Sequence, residues 1–380
     1  MDDIEAEEPD AVVLRGGIVH DPESTEATLR DVRIQGGAIS ELGAQAGDQV
    51  IDVSGLIVAP GLIDLHAHVF FGQDLGVPAD RTAFPSGTTT LIDAGSAGAH
   101  LIGAFRASTI DRSSVRIRAF LNISTIGTTS ILLGGELQSP WYVSEKSAEE
   151  AIEGNRDIIV GVKVRASSNV GGEHTSAALA AARRVADRVS LPMMVHLGPA
   201  PAGIDEIADT LHPGDVLTHA FTGWEDNGIL GKDKKLRPSV RAARERGVVL
   251  DIGHGMSGFS LDVARHMLAD LQPPDTISTD IHAYSLTDVI DFPTVLSKFL
   301  ALGMPLDDVL RCATANPARV VKIDGGTLGP GRPADIAVLE RVPGRQEFRD
   351  GFGGAVIGNE VLRAVMTIMN GRIVFDRRRP

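Results

Sequence analysis

Eight short apolar runs, rich in β-branched residues, recur through the middle of the chain. They are GLIDLHAH (61–68), TTLIDAG (89–95), RIRAFLNIS (116–124), IIVGVKVRA (158–166), PMMVHLG (192–198), DVLTHAF (215–221), GVVLDIGHG (247–255) and DTISTDIHA (275–283). Helical, Ala/Arg/Glu-rich stretches follow most of them, at 146–156, 175–189, 237–246, 260–271 and 304–311. Buried strands that alternate with helices belong to a parallel sheet covered by helices. Eight such units in about 250 residues predict an α/β fold of the (β/α)8 TIM-barrel class. A doubly wound sheet competes, but no glycine-rich phosphate loop follows the first run.

The two ends of the chain read differently. AVVLRGGIVH, LRDVRIQGGAISELG and VIDVSGLIVAP lie before the first run, and ADIAVLE and AVIGNEVLRAVMTIMNGRIVFD lie after the last. Glycines punctuate these β-like segments at hairpin spacing. The division predicted is a disordered acidic tail over 1–9, a small β-sandwich domain assembled from 10–58 and 327–380, and a barrel over 59–326.

Composition excludes several classes. The formal charge of −14 disfavours nonspecific binding to nucleic acid or anionic membranes. No apolar run approaches the roughly 20 residues of a membrane span. The N-terminal MDDIEAEEPD has no apolar core of a secretory signal. A single cysteine, Cys312, rules out an internal disulfide and fits a reducing cytoplasm.

The unusual residues are polar ones near the C-terminal ends of the strands: His66, His68, Lys163, His196, His219 and Asp280. That end of a barrel carries the active site. Strand side chains alternate, so His66 and His68 share a side. Any one of these alone reads best as an ordinary strand residue. Their recurrence at matching heights on five strands predicts convergence at one mouth. Arg165 follows Lys163 by two and shares its side. It is a candidate for a substrate carboxylate, or else for an ion pair with a mouth carboxylate such as Asp93. His254, His282 and Tyr284 also fall at the mouth and are candidate substrate contacts.

APGLIDLHAH, a lysine on the fourth strand, single histidines ending the fifth and sixth, and an aspartate ending the eighth resemble the amidohydrolase superfamily. DAGSAG, VGVKVRAS, MMVHLG, LDIGHG and ISTDIHA are similar to its amidohydrolase/deacetylase metallohydrolase branch, often labelled dihydroorotase-like. The resemblance covers nearly the whole chain. It implies that CO2 converts Lys163 to an N6-carboxylysine bridging two divalent metal ions. His66, His68, Lys163 and Asp280 would hold one ion, and Lys163, His196 and His219 the other. Zn2+ suits such ligands, with Mn2+, Fe2+ or Co2+ as alternatives. It further implies hydrolysis by an activated water, with Asp280 passing a proton to the leaving group. The substrate expected is a small acylated hydroxy or amino acid carrying a carboxylate, cleaved at an ester or amide bond. A cyclic-amide hydrolase of the dihydroorotase or hydantoinase type is the alternative, and a non-catalytic metal-containing binding protein is the alternative of another class. The family also implies a homo-oligomer.

Overall fold

The computed structural model describes residues 11–130 and 135–379. The tail expected over 1–9 lies outside them. Five strands come from the N-terminal end: β1 (Ala11–Val19), β2 (Thr28–Gln35), β3 (Ala38–Ile39), β4 (Gln49–Asp52) and β5 (Ile57–Pro60). Seven more follow through the middle of the chain: β6 (Leu62–Ala67), β7 (Thr88–Asp93), β8 (Arg116–Asn122), β9 (Ile159–Ala166), β10 (Met193–Leu197), β11 (Val216–Thr218) and β12 (Val249–Leu250). The last three are β13 (Ile336–Arg349), β14 (Ala355–Met369) and β15 (Arg372–Asp376).

Strands β6 to β12 form one parallel sheet in chain order. Leu65, Ile92, Phe120, Met194 and Val216 are buried and pack into one cluster. They come from five different strands, so the sheet must curl for them to meet on its inner face. The eighth apolar run, 275–283, forms no strand. It makes single parallel bridges instead, Thr276 with Asp251 and Ile281 with Ala67, and so touches both edges of the sheet. The reason is local. Asp280 takes a left-handed φ of 48°, which an extended ladder does not admit. The seventh run shortens to two strand residues because Gly253 and Gly255 (φ 50° and 46°) turn the chain.

The helices predicted at 146–156, 175–189, 237–246, 260–271 and 304–311 are found at Glu145–Glu153, Thr175–Val189, Pro238–Glu245, Leu261–Ala269 and Leu306–Cys312. Helices also occur at Ala79–Ala83, Ile102–Ser108, Ile204–Thr210, Phe292–Ala301 and Ala315–Val321. Four of these are five to seven residues long, too short to display a clear 3.6-residue stripe. The longer one, Phe292–Ala301, is buried nearly all round, so it shows no polar face.

The two chain ends meet in a second sheet, in the order β15-β14-β13-β5-β1-β2-β3, with β4 paired to β1. Antiparallel pairing of Ile336 with Pro60 and Val338 with Val58 joins the late strands to the early ones. Leu14, Val32, Ile34, Val58, Ile336, Val338, Met366 and Ile368 share one core. The sandwich expected from the sequence is observed as one connected sheet. Among the described residues, no helix is long and apolar enough to cross a membrane.

Candidate metal centre

The polar residues at the strand ends meet. His66 Nε2 lies 3.2 Å from Asp280 Oδ1, and His68 Nε2 lies 3.4 Å from the same oxygen. The His219 ring sits 5.0 Å from that of His66 and 4.3 Å from that of His196. Lys163 is 1% exposed, and its charge acts on those of Asp280, His66, His196 and His219. A bulge in the β6–β7 register between Asp64 and Ala67 adjusts the strand that carries His66 and His68.

Hydrogen bonds fix the tautomers of three histidines. The Thr218 hydroxyl donates its proton to Asp251 Oδ2 (2.7 Å), so it accepts from His66 Nδ1 (2.8 Å). Ser96 Oγ likewise donates to Asp93 Oδ2 (2.8 Å) and accepts from His68 Nδ1 (2.9 Å). His219 Nδ1 donates to the Gly253 carbonyl (2.6 Å). In each ring the proton is on Nδ1, and Nε2 keeps a lone pair. His219 Nε2 is buried with no hydrogen-bond partner. Burial, helped by the nearby Lys163 charge, holds His66 well below the usual histidine range. Burial also lowers His219 to about 4. A neutral His66 ring facing a carboxylate leaves lone pair against lone pair, and a cation resolves that conflict. His66, His68 and Asp280 are therefore a group able to hold a divalent metal ion, their ligand atoms all within 4.8 Å of one another.

Lys163 reinforces the reading. Its Nζ contacts Met194 Sδ at 3.3 Å, and no carboxylate lies within ion-pair distance among the described residues. Burial lowers its pKa to about 7, which supplies neutral amine at ordinary pH. Gly95 makes room for it. A Cβ there would fall 2.7 Å from Lys163 Cγ, and its φ of 92° disfavours any side chain. His219 and Asp280 take φ values of 59° and 48°. Such strain persists only where the surroundings impose it.

The outer candidates divide. Arg165 pairs through Nη1 with the buried Glu136 carboxylate (3.2 Å), not with Asp93. Asp93 is taken up by the backbone N–H groups of Val69, Gly95 and Ser96 and by the Ser96 hydroxyl. His282 Nδ1 accepts from the Tyr284 backbone (3.2 Å), which leaves its proton on Nε2, 4.0 Å from Asp280 Oδ2. His254, expected at the mouth, is turned to protein groups. Its Nδ1 donates to Gly255 O (2.9 Å) and its Nε2 meets Lys298 Nζ at 2.7 Å, so both nitrogens are spent on protein. Tyr284 donates its hydroxyl to Asp74 (2.6 Å), tying two loops at the rim.

Sequence reasoning missed Thr218, Ser96, Asp251, Glu136 and Lys298. Asp93 and Asp251 end apolar strands, as the histidines do, and that position was the available signal. Lys298 carried another, being a lone charge in a helix with no polar face. Glu136 sits in a long loop where no pattern marks it.

The sequence profile of the amidohydrolase family matches residues 57–374. A deacetylase of Agrobacterium fabrum is 36% identical over 348 residues, covering 88% of this chain and 85% of its own. A deacetylase of Brucella anthropi is 34% identical over 369 residues, covering 92% of each. A crystal structure of a dihydroorotase superposes with a TM-score of 0.88 at 31% identity, covering 97% of this chain and 98% of that one.

Proposed function

The chain belongs to the amidohydrolase family, and from that premise we propose that it is a metal-dependent deacylase of a small acylated hydroxy or amino acid. The observation that carries this reading is the convergence of His66 Nε2 and His68 Nε2 on Asp280 Oδ1, with the unpartnered His219 Nε2 in the ring beside His66, in a family whose deacetylases span nearly this whole chain. We read the curled sheet with its bridging eighth segment as the expected TIM barrel, and the joined ends as its small companion domain.

On this reading His66, His68 and Asp280 would hold one divalent ion and His196 and His219 a second, and Lys163, once carboxylated by CO2, would offer a carboxylate to both. Zn2+ is the ion we favour for this nitrogen and oxygen set. Bound there, such ions lower the pKa of water and polarise a carbonyl. The protein's own residues do the rest. Asp280 accepts the proton from the attacking water and delivers it to the leaving oxygen or nitrogen. The Nε2–H of His282 faces that carboxylate and can donate to a substrate oxygen. Arg165 is anchored by Glu136 through Nη1, and its other edge can receive a substrate carboxylate. Thr218 and Ser96 keep the two histidines aimed. Tyr284 shapes the rim through Asp74 and need not touch substrate.

A second reading, cyclic-amide hydrolysis, is favoured by the likeness to the dihydroorotase structure. The deciding experiment is a screen of zinc- and manganese-loaded protein. N-acetyl amino acids and O-acetyl hydroxy acids would be run beside dihydroorotate and hydantoins. Turnover of the open-chain acyl compounds supports deacylation; turnover of the rings alone replaces it with the second reading.

A further inference from the structure

Among the described residues two lysines are fully buried, Lys163 and Lys298. Lys298 lies on the helix Phe292–Ala301, away from the cluster of histidines. An ammonium has three N–H groups, and Lys298 finds three acceptors. They are His254 Nε2 at 2.7 Å, the Asp288 carbonyl at 3.2 Å and the Arg349 carbonyl at 2.8 Å. These belong to three separate parts of the chain: the loop after β12, the turn before the helix, and the β13–β14 hairpin of the second sheet.

The His254 link leads to the site. Gly253 O takes the Nδ1 proton of His219. A Cβ on Gly255 would lie 2.3 Å from Asp280 Oδ2, so this backbone is pressed against the carboxylate. The amides of His254 and Gly255 bond to the carbonyls of Ser278 and Thr279, just before Asp280. The 253–255 turn therefore touches His219 at one end and the Asp280 segment at the other. The hairpin link is equally built. Asp350 Oδ2 accepts from Leu261 N (2.6 Å), and Phe352 packs edge-on against Trp224, ring centroids 5.5 Å apart. The tip of the hairpin thus rests on the loops that follow β11 and β12.

We infer that Lys298 is a positioning residue for the catalytic cluster: through His254 it fixes the turn that aims His219 and backs Asp280, and through Arg349 it locks that turn to the hairpin of the terminal sheet. The inference rests on reading the cluster as a metal-dependent hydrolytic site.

The test compares the wild type with Lys298→Met, His254→Leu and the double variant. Each is measured for kcat and KM on the best acyl substrate, for zinc affinity by chelator competition, and for thermal unfolding. Each single change should lower kcat by about tenfold or more, with KM held within about threefold, and weaken zinc binding by about tenfold. The double variant should lose no more than the worse single one, because the two residues act through one contact. A folded Lys298→Met protein with kcat and zinc affinity within about twofold of wild type overturns the inference, as do single losses that multiply in the double. If Lys298→Met does not fold, His254→Leu decides by the same readouts. If the wild type cleaves none of the substrates, the hydrolase reading fails alone, and zinc affinity still decides the role of Lys298.

Discussion

His66 Nε2 and Asp280 Oδ1 lie 3.2 Å apart, and neither brings a proton to the other. The ring donates its Nδ1–H to Thr218 Oγ1, and that hydroxyl donates in turn to Asp251 Oδ2. Buried lone pairs in this arrangement repel unless a proton or a cation stands between them. Protonating the ring is resisted by burial, so a cation is the better solution.

Thr218→Val removes the acceptor that holds His66 in its Nδ1–H form. It also leaves Asp251 one donor short. Affinity for zinc should fall by about 10- to 100-fold while the fold survives. Competition with a coloured chelator reads this directly. An unchanged affinity would mean that the hydroxyl does not set the ring.

Gly95→Ala should damage the site from the side of Lys163. The added methyl meets Lys163 Cγ and Cβ at 2.7 and 2.8 Å, on a backbone with φ of 92°. We expect a loss of about 1–3 kcal/mol in unfolding free energy together with loss of metal. Denaturant titration and elemental analysis of the purified variant give the two numbers. Wild-type stability with full metal would show that the glycine is not needed there.

Much of this was legible in the sequence, and what was not has physical causes. Polar residues at the ends of buried strands are costly, so His66, His68, Lys163, His196, His219 and Asp280 stood out against their apolar neighbours. The eighth run looked like a strand because strand chemistry and a bridged, bent segment share the same β-branched composition. Only the left-handed Asp280 distinguishes them, and φ is not written in residue type unless the residue is glycine. His254 looked like a mouth residue by position, yet its partner Lys298 lies 44 residues away and comes from a buried helix. Glu136 could not be paired with Arg165 because loop geometry sets that contact.

Arg165→Met should raise KM for carboxylate-bearing acyl substrates by about tenfold or more and leave uncharged esters within about twofold. Steady-state kinetics on matched ester pairs tests it. Equal effects on both kinds of substrate would reduce Arg165 to a partner of Glu136.

Cys312 is buried, and burial pushes its thiol up to about 12. The thiolate is the reactive form, so native protein at pH 8 should resist alkylation. Mass spectrometry after iodoacetamide should find no adduct until denaturant is added, then one per chain. Rapid modification of folded protein would contradict the burial.

The most direct measurement is metal content beside hydrolysis, for wild type and Lys163→Ala, after zinc loading and exhaustive dialysis. The proposed paired-ion centre predicts about two ions per wild-type chain with acyl-substrate turnover, and loss of both ions and turnover in the variant. A Lys163→Ala protein that keeps its metal and its full activity would contradict it.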